Sequence, residues 1–112
     1  MTSPIVARRV GFRYVITPAG RFDSRALSGI FDAYFGAIEQ GAREIWLDLG
    51  RVSGIRSGGL DAVTRMAAFG HELGRRTIVV CPPGPLRVTL DHAGIAEDLE
   101  IFDTLSDAQR AC

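Results

Sequence analysis

The sequence predicts an α/β protein built around a β-α-β unit. Two short runs, "EIWLDL" at 44–49 and "TIVVC" at 77–81, have the length and the apolar character of buried strands. Between them, residues 58–73 carry apolar side chains at helical spacing. Such crossovers are nearly always right-handed and join parallel strands, so the carboxyl ends of both strands should lie at one edge of the sheet.

The N-terminal part of the chain predicts a β-hairpin. Residues 5–10 can form a short strand, and residues 12–17 place Phe12, Tyr14 and Ile16 on one face, as in a strand with one buried side. We expect a turn near Gly11. The sequence "PAG" at 18–20 is expected to end the second strand.

Residues 21–41 predict an amphipathic helix that begins at a polar cap. Asp23 or Ser24 can cap its first turn, and Gly41 can end it. Its apolar residues fall at helical spacing and should form one stripe toward the core: Leu27, Ile30, Phe31, Tyr34, Phe35 and Ile38.

The second helix is expected to end at Gly74. Its predicted core residues share one face: Leu60, Val63, Met66, Ala67 and Leu73. After the break "CPPGP", a third short helix should end at Gly94, residues 99–104 can add a small edge strand, and residues 106–112 can add a last helical turn.

Length and composition predict one domain over residues 1–112. Hydrophobic residues make up 46% of the chain and charged residues 23%, as in soluble globular proteins. The formal net charge is zero, which gives no electrostatic reason to expect nucleic-acid binding. No apolar run approaches the ~18 residues of a membrane span, and no signal peptide is evident, so we expect a cytoplasmic protein.

The two cysteines are too few for a disulfide framework. Cys81 closes an apolar run and is expected to be a buried thiol, whereas Cys112 is expected to be a free thiol in the tail.

The stretch "GRVSGIRSGGL" at 50–60 lies where a strand should pass into a helix. In open α/β sheets the binding site lies at the carboxyl edge, which the loops 50–57 and 81–85 should share. A phosphate-binding P-loop is excluded because the chain contains no lysine, and the frames of a dinucleotide fingerprint and of a nucleophile elbow are both absent. No paired metal-ligand spacing and no catalytic carboxylate pair is evident either, so neither an enzyme nor a cofactor is predicted.

Ser57 is placed to cap the helix that begins at Gly58. That is a structural role, but a helix N-terminus also tolerates a phosphate, which would add close to two negative charges to the hydroxyl. Gly58 and Gly59 leave room for the active site of another protein to approach Ser57.

Several motifs, in their order and spacing, resemble the STAS domain, specifically the single-domain bacterial anti-sigma factor antagonists. "GRFD" at 20–23 resembles the family's G-x-[LF]-D, and "IWLDLGRVSGIRSGGL" resembles its apolar strand followed by V-x-x-I-D-S-S-G-L. "RRTIVVCPPGPLRVTLDHAGI" and "SDAQRA" resemble the family's later strand, loop and helix and its closing helix. The resemblance implies an α/β fold of the STAS type, with a small mixed sheet of four to five strands and about four flanking helices.

The resemblance also implies a binding partner in place of a substrate. In the family, the antagonist binds an anti-sigma factor of the GHKL kinase type, which phosphorylates the first serine of D-S-S-G; that serine falls on Ser57. The family aspartate falls on Arg56, and the second serine falls on Gly58. Arg56 could pair with a phosphate and favour the modified state, or it could disturb a kinase contact that expects aspartate.

By position at this edge, the expected partner-binding residues are Asp23, Ser24, Arg25, Arg51, Arg56, Ser57, Gly58 and Gly59. Each of the polar ones can equally be a helix cap or a solvated surface charge. Two other interpretations remain open: a STAS subunit of a stress-signalling scaffold or of a lipid-transport ABC system, and a domain that binds a small ligand or nucleotide at the same edge.

Overall fold

The computed structural model describes residues 5–55, 57–92 and 100–112, and it describes the backbone alone for Ser24, Ile55, Ser57, Leu60 and His92. Strands and helices follow one another along the chain in this order: β1 Ile5–Val10, β2 Arg13–Phe22, α1 Ser24–Glu39, β3 Glu44–Asp48, β4 Arg51–Ile55, α2 Ser57–Glu72, β5 Arg76–Val80, α3 Pro85–His92, β6 Glu100–Phe102 and α4 Leu105–Ala111.

The strands form a mixed sheet in the order β1-β2-β3-β5-β6, with β4 paired to β2. The predicted hairpin is confirmed: β1 and β2 pair antiparallel, and Gly11 turns between them with a φ of 63°. The predicted buried face is confirmed for Ile16, whereas Phe12 lies in the turn before β2 and is 63% exposed. The predicted β-α-β unit is also confirmed, because β3 and β5 are adjacent and parallel. Within the described residues the sheet has six strands, where four to five were expected.

The additional strand is β4, in a stretch that the sequence predicted as a loop. The expected end of β2 at residues 18–20 was wrong, since β2 continues to Phe22 and pairs there with β4. Ile16 of β2 faces Leu47 of β3, an offset of 47 − 16 = 31, and Ala19 faces Arg51 of β4, an offset of 51 − 19 = 32. Between these two pairs, the segment that faces β2 contains one residue more than β2 does. Strand β4 therefore continues the path of β3 along β2 after a one-residue irregularity of the β-bulge type.

The larger hydrophobic cluster lies between the sheet and helices α1, α2 and α3. The predicted stripe of α1 packs here, with Ile30 and Tyr34 fully buried. The prediction was wrong for Phe35, which is 39% exposed and lies outside this cluster. The predicted core residues of α2 are confirmed for Val63, Met66 and Ala67, whereas Leu60 lies outside the described side chains. The prediction for Leu73 was wrong: this side chain is 48% exposed because α2 ends before it, at Glu72.

A smaller cluster on the other face of the sheet is covered by α4. It contains Val15, Trp46, Ile78 and Val80 of the strands together with Ala108 of α4. The guanidinium of Arg13 lies 3.9 Å from the centre of the Trp46 ring. Helix α4 and the Arg13 guanidinium thus cover this face of the central strands.

The C-terminal predictions agree with the structure where it is described. Strand β6 and helix α4 form as expected, and α3 is described up to His92. Its predicted end at Gly94 lies outside the described residues. Cys81 is buried and Cys112 is exposed, as predicted, and both are free thiols.

Candidate functional site

Strands β2 and β4 run parallel and end in register, and this brings the starts of two helices together. Phe22, the last residue of β2, faces Ile55, the last residue of β4. Helix α1 begins at Ser24 and helix α2 at Ser57, each two residues beyond that pair. Because neighbouring strands lie about 4.8 Å apart, the N-termini of α1 and α2 are direct neighbours at the carboxyl edge of the sheet.

Asp23 caps the first of these helices, as the sequence predicted. Its Oδ1 accepts a hydrogen bond from the backbone N–H of Ala26 at 3.0 Å. This hydrogen bond lowers the pKa of the Asp23 carboxyl, since it stabilises the charged form. The carboxylate therefore contributes a fixed negative charge beside the start of α2.

Ser57 is the first residue of α2, one position earlier than predicted. The expected cap by its hydroxyl lies outside the described side chains, and Arg56 lies outside the described residues. Gly58 continues the helix and Gly59 is buried. The backbone thus places residue 57 at the end of α2 that carries unpaired N–H donors and the positive end of the helix dipole.

The other predicted site residues divide between the two ends of β4. Ser24 is the first residue of α1 and Arg25 is exposed on its first turn, so both lie at the edge that holds Ser57. Arg51 is the first residue of β4. It lies about 13 Å from the last residue of that strand, because a β-strand rises ~3.3 Å per residue. The structure does not bring Arg51 to the two helix N-termini.

The loops that follow β3 and β5 line one open cavity of about 400 Å³, together with β4 and the start of α3. The prediction that these loops share an edge is confirmed. The cavity walls combine apolar and small polar residues, and none of its described lining residues is charged: Leu49, Gly50, Val52, Ser53, Gly54, Cys81, Pro82, Pro83, Gly84, Pro85, Leu86 and Thr89. The positions of Ser53 and Thr89 in this lining depend on the pairing of β4 and the docking of α3, which local residue patterns do not predict.

Two observations bear on the chemistry of this edge. In the part of the chain that the structure describes, no group of three or more His, Cys, Asp or Glu side chains is placed to hold a metal ion. Burial raises the pKa of the Cys81 thiol, so the sulfur that lines the cavity is a poor nucleophile. None of the described helices is long and apolar enough to span a bilayer.

The family profile for the STAS domain matches residues 3–108. The chain belongs to the STAS domain family. Among solved structures, it resembles a candidate anti-sigma factor antagonist from Thermotoga maritima, with a TM-score of 0.83, 18% identity, and coverage of 96% of this chain and 92% of that one. No curated protein matches it in sequence.

Two further anti-sigma factor antagonists share this STAS fold. One, from Mycobacterium paratuberculosis, has a TM-score of 0.77 and 19% identity, and the match covers 99% of this chain and 97% of that one. The other, SpoIIAA of Bacillus, has a TM-score of 0.74 and 22% identity in its unphosphorylated form, with 96% of each chain covered. SpoIIAA has also been solved in a phosphorylated form.

Proposed function

We propose that this STAS domain is an anti-sigma factor antagonist that binds an anti-sigma factor of the GHKL kinase type through the edge formed by the starts of α1 and α2. Family membership and the three antagonist structures that share the fold support this role. In this role the protein is a regulatory binding module, not an enzyme.

The register of β2 with β4 is the observation that carries the proposal. It places Asp23, Ser24 and Arg25 of one helix beside Ser57, Gly58 and Gly59 of the next. Helix N-termini project backbone N–H groups and small polar side chains, which suit a protein partner that must approach a serine closely. Six of the eight predicted partner-binding residues thus belong to the first turns of these two neighbouring helices. Gly59 is buried there, so a direct contact of this residue with a partner, expected from the sequence, is not part of the proposal.

We further propose that phosphorylation of Ser57 releases the partner. A phosphate at this position would add close to two negative charges to a surface that already carries the Asp23 carboxylate. Burying such a charge against a partner costs desolvation energy, so the phosphorylated protein binds more weakly than the unmodified one.

The proposal is tested by a pull-down with a GHKL-type kinase encoded in the same genome. Ser57→Ala should retain binding and lose phosphorylation by kinase and ATP, and Ser57→Asp should weaken binding. The matched control is Ser106→Asp, because Ser106 is an exposed serine in the first turn of another helix, α4, on the far face of the sheet. That variant should bind like the wild type.

Two results would contradict the proposal at different levels. If the kinase binds but transfers no phosphate to Ser57, the switch is wrong while the antagonist role stands. If none of the genome's GHKL-type kinases binds the wild-type protein, the antagonist role itself is wrong.

The cavity of about 400 Å³ supports a second candidate function, binding of a small ligand. Its described lining carries no cation, so it suits an uncharged, partly apolar molecule better than a nucleotide, whose phosphates need positive charge. A thermal-shift screen with uncharged metabolites and with nucleotides would test this. Stabilisation by nucleotides alone would contradict the expected ligand class.

A further inference from the structure

The outer edge of β1 is open in the part of the chain that the structure describes. Strand β1 pairs with β2 through all six of its residues, Ile5–Val10, and the sheet order places no other strand beyond it. An open edge presents alternate backbone N–H and C=O groups that can pair with an added strand. This edge lies apart from the helix N-termini proposed to bind the anti-sigma factor, and the inference drawn from it does not depend on that function.

Apolar side chains flank this edge on one face of the sheet. Val6 faces Thr17 and Val10 faces Arg13, so both valines lie on the face that carries Val15 and Trp46. Val6 is 62% exposed and Val10 is 52% exposed. Helix α4 contacts β5 and β6 and leaves this end of the face uncovered among the described residues.

Positive charge lies between and beside the two valines. Arg8 is exposed on β1 between them, and Arg8 and Arg51 line one hollow of about 190 Å³ together with Val6, Val15, Thr17 and Asp48. Neither guanidinium forms an ion pair with a described residue. Asp48, the carboxylate in the hollow, accepts the backbone N–H of Gly50 at 3.0 Å. Two cations therefore face one carboxylate, on a chain whose net charge is zero.

A second copy of the chain is a poor occupant of this edge. In antiparallel pairing of β1 with another β1 about a centre between Ala7 and Arg8, Arg8 of each copy lies opposite Ala7 of the other copy and diagonal to its Arg9, on the same face of the sheet. Long side chains at diagonal positions are within reach of each other, so each face of the ladder would carry one repelling pair of arginines. Carboxylates on the incoming strand would remove this repulsion.

We propose that β1 docks an extended, acidic segment of a partner protein as an added strand. The backbone of the segment pairs with the open edge. On one face, its alternate residues are apolar, acidic and apolar, so that the apolar ones contact Val6 and Val10 and the carboxylate between them reaches the hollow lined by Arg8 and Arg51. This mode of recognition draws affinity from main-chain hydrogen bonds and specificity from alternate side chains.

The probe is a fluorescein-labelled peptide EVEEEVE, in which Val, Glu and Val at every second position match Val6, Arg8 and Val10 on one face of the sheet. The comparison peptide is KVKKKVK. Fluorescence anisotropy should show saturable binding of the acidic peptide at low salt, weaker binding at high salt, and no binding of the basic peptide. The double variant Arg8→Glu/Arg51→Glu should bind the acidic peptide about tenfold more weakly, since each exposed ion pair contributes modestly and the reversal adds repulsion. Arg65→Glu, an exposed arginine on α2 without an ion pair to a described residue, is the matched control and should bind like the wild type.

Amide hydrogen exchange supplies the second measurement. The acidic peptide should slow exchange in β1 and leave α2 unchanged, because an added strand protects only the edge that it pairs with. Three results would overturn the proposal: unchanged hydrogen exchange in β1, equal binding of the acidic and the basic peptide, or a loss of affinity in Arg65→Glu equal to that in Arg8→Glu/Arg51→Glu. Binding to phosphatidylglycerol vesicles without binding to the peptide would overturn it in favour of a membrane surface, and concentration-dependent dimerisation that protects β1 would overturn it in favour of a second copy.

Discussion

The hydroxyl of Tyr34 on α1 lies 2.7 Å from Oγ1 of Thr77 on β5, and this hydrogen bond joins the first helix to the central strand inside the core. Both residues are buried, and Thr77 is the buried polar residue among the described core. Burial raises the pKa of the Tyr34 hydroxyl, so it stays protonated and can donate.

Tyr34→Phe should lower the free energy of unfolding by about 1–3 kcal/mol, because it leaves the Thr77 hydroxyl buried without its partner. The double variant Tyr34→Phe/Thr77→Val removes both polar groups and should recover part of that loss. Urea denaturation of the wild type, the two single variants and the double variant measures the coupling. Additive effects of the two substitutions would show that the hydroxyls do not interact.

Gly70 on α2 is required by the position of the same tyrosine. A Cβ at residue 70 would lie 1.9 Å from the Tyr34 hydroxyl oxygen and 3.0 Å from Cζ of its ring. Gly70→Ala should therefore destabilise the fold by about 1–3 kcal/mol, as overpacking does. The matched control is Gly36→Ala on α1, where a Cβ meets no atom within 4 Å and the better helix propensity should add up to ~1 kcal/mol of stability. Equal effects of the two substitutions in thermal or urea unfolding would contradict the close approach of α2 to Tyr34.

Stability should fall at low pH in part through Asp23. The backbone N–H of Ala26 lowers the pKa of this carboxyl in the folded state, so its stabilising effect is present above the unfolded value of about 3.9 and is lost as pH falls through the lower, folded value. Asp23→Asn keeps a capping oxygen and removes the charge, so it should flatten this part of the pH dependence. Carboxyl chemical shifts in an NMR titration measure the Asp23 pKa directly. An Asp23 pKa at or above the unfolded value would contradict the cap.

The two thiols should differ sharply in reactivity. Burial raises the pKa of Cys81, and Cys112 is exposed. In the native protein, 5,5′-dithiobis(2-nitrobenzoic acid) should react at once with a single thiol, and the second should react only after unfolding. Cys112→Ser should abolish the fast reaction. A fast phase that survives in Cys112→Ser would show that reagent reaches Cys81 through the cavity that it lines.

Arg56 should control the ionisation of a phosphate on Ser57. With phosphoserine incorporated at position 57 by genetic encoding, the neighbouring cation should lower the second pKa of the phosphate, and Arg56→Asp should raise it through like-charge repulsion. Titration followed by ³¹P NMR measures both, and Arg56→Gln should give an intermediate value. Identical titrations in all three proteins would mean that residue 56 does not act on the phosphate.

The amino-acid sequence alone determined the parts of the protein that follow local rules. The helical spacing in α1, the apolar runs of β3 and β5, and the cap at Asp23 each depend on nearby residues, and the motifs around Ser57 carry the family resemblance. These features predicted the β-α-β unit and placed Ser57 at the start of α2.

Only the tertiary structure decided how the candidate edge is assembled. The stretch "RVSGI" of β4 has glycine and serine within five residues and becomes a strand because β2 supplies parallel hydrogen-bonding partners from over 30 positions earlier in the chain. That non-local pairing places the start of α1 beside the start of α2 and moves Arg51 to the opposite end of β4. It depends on backbone groups distant in sequence, so residue patterns along the chain carry little signal for it.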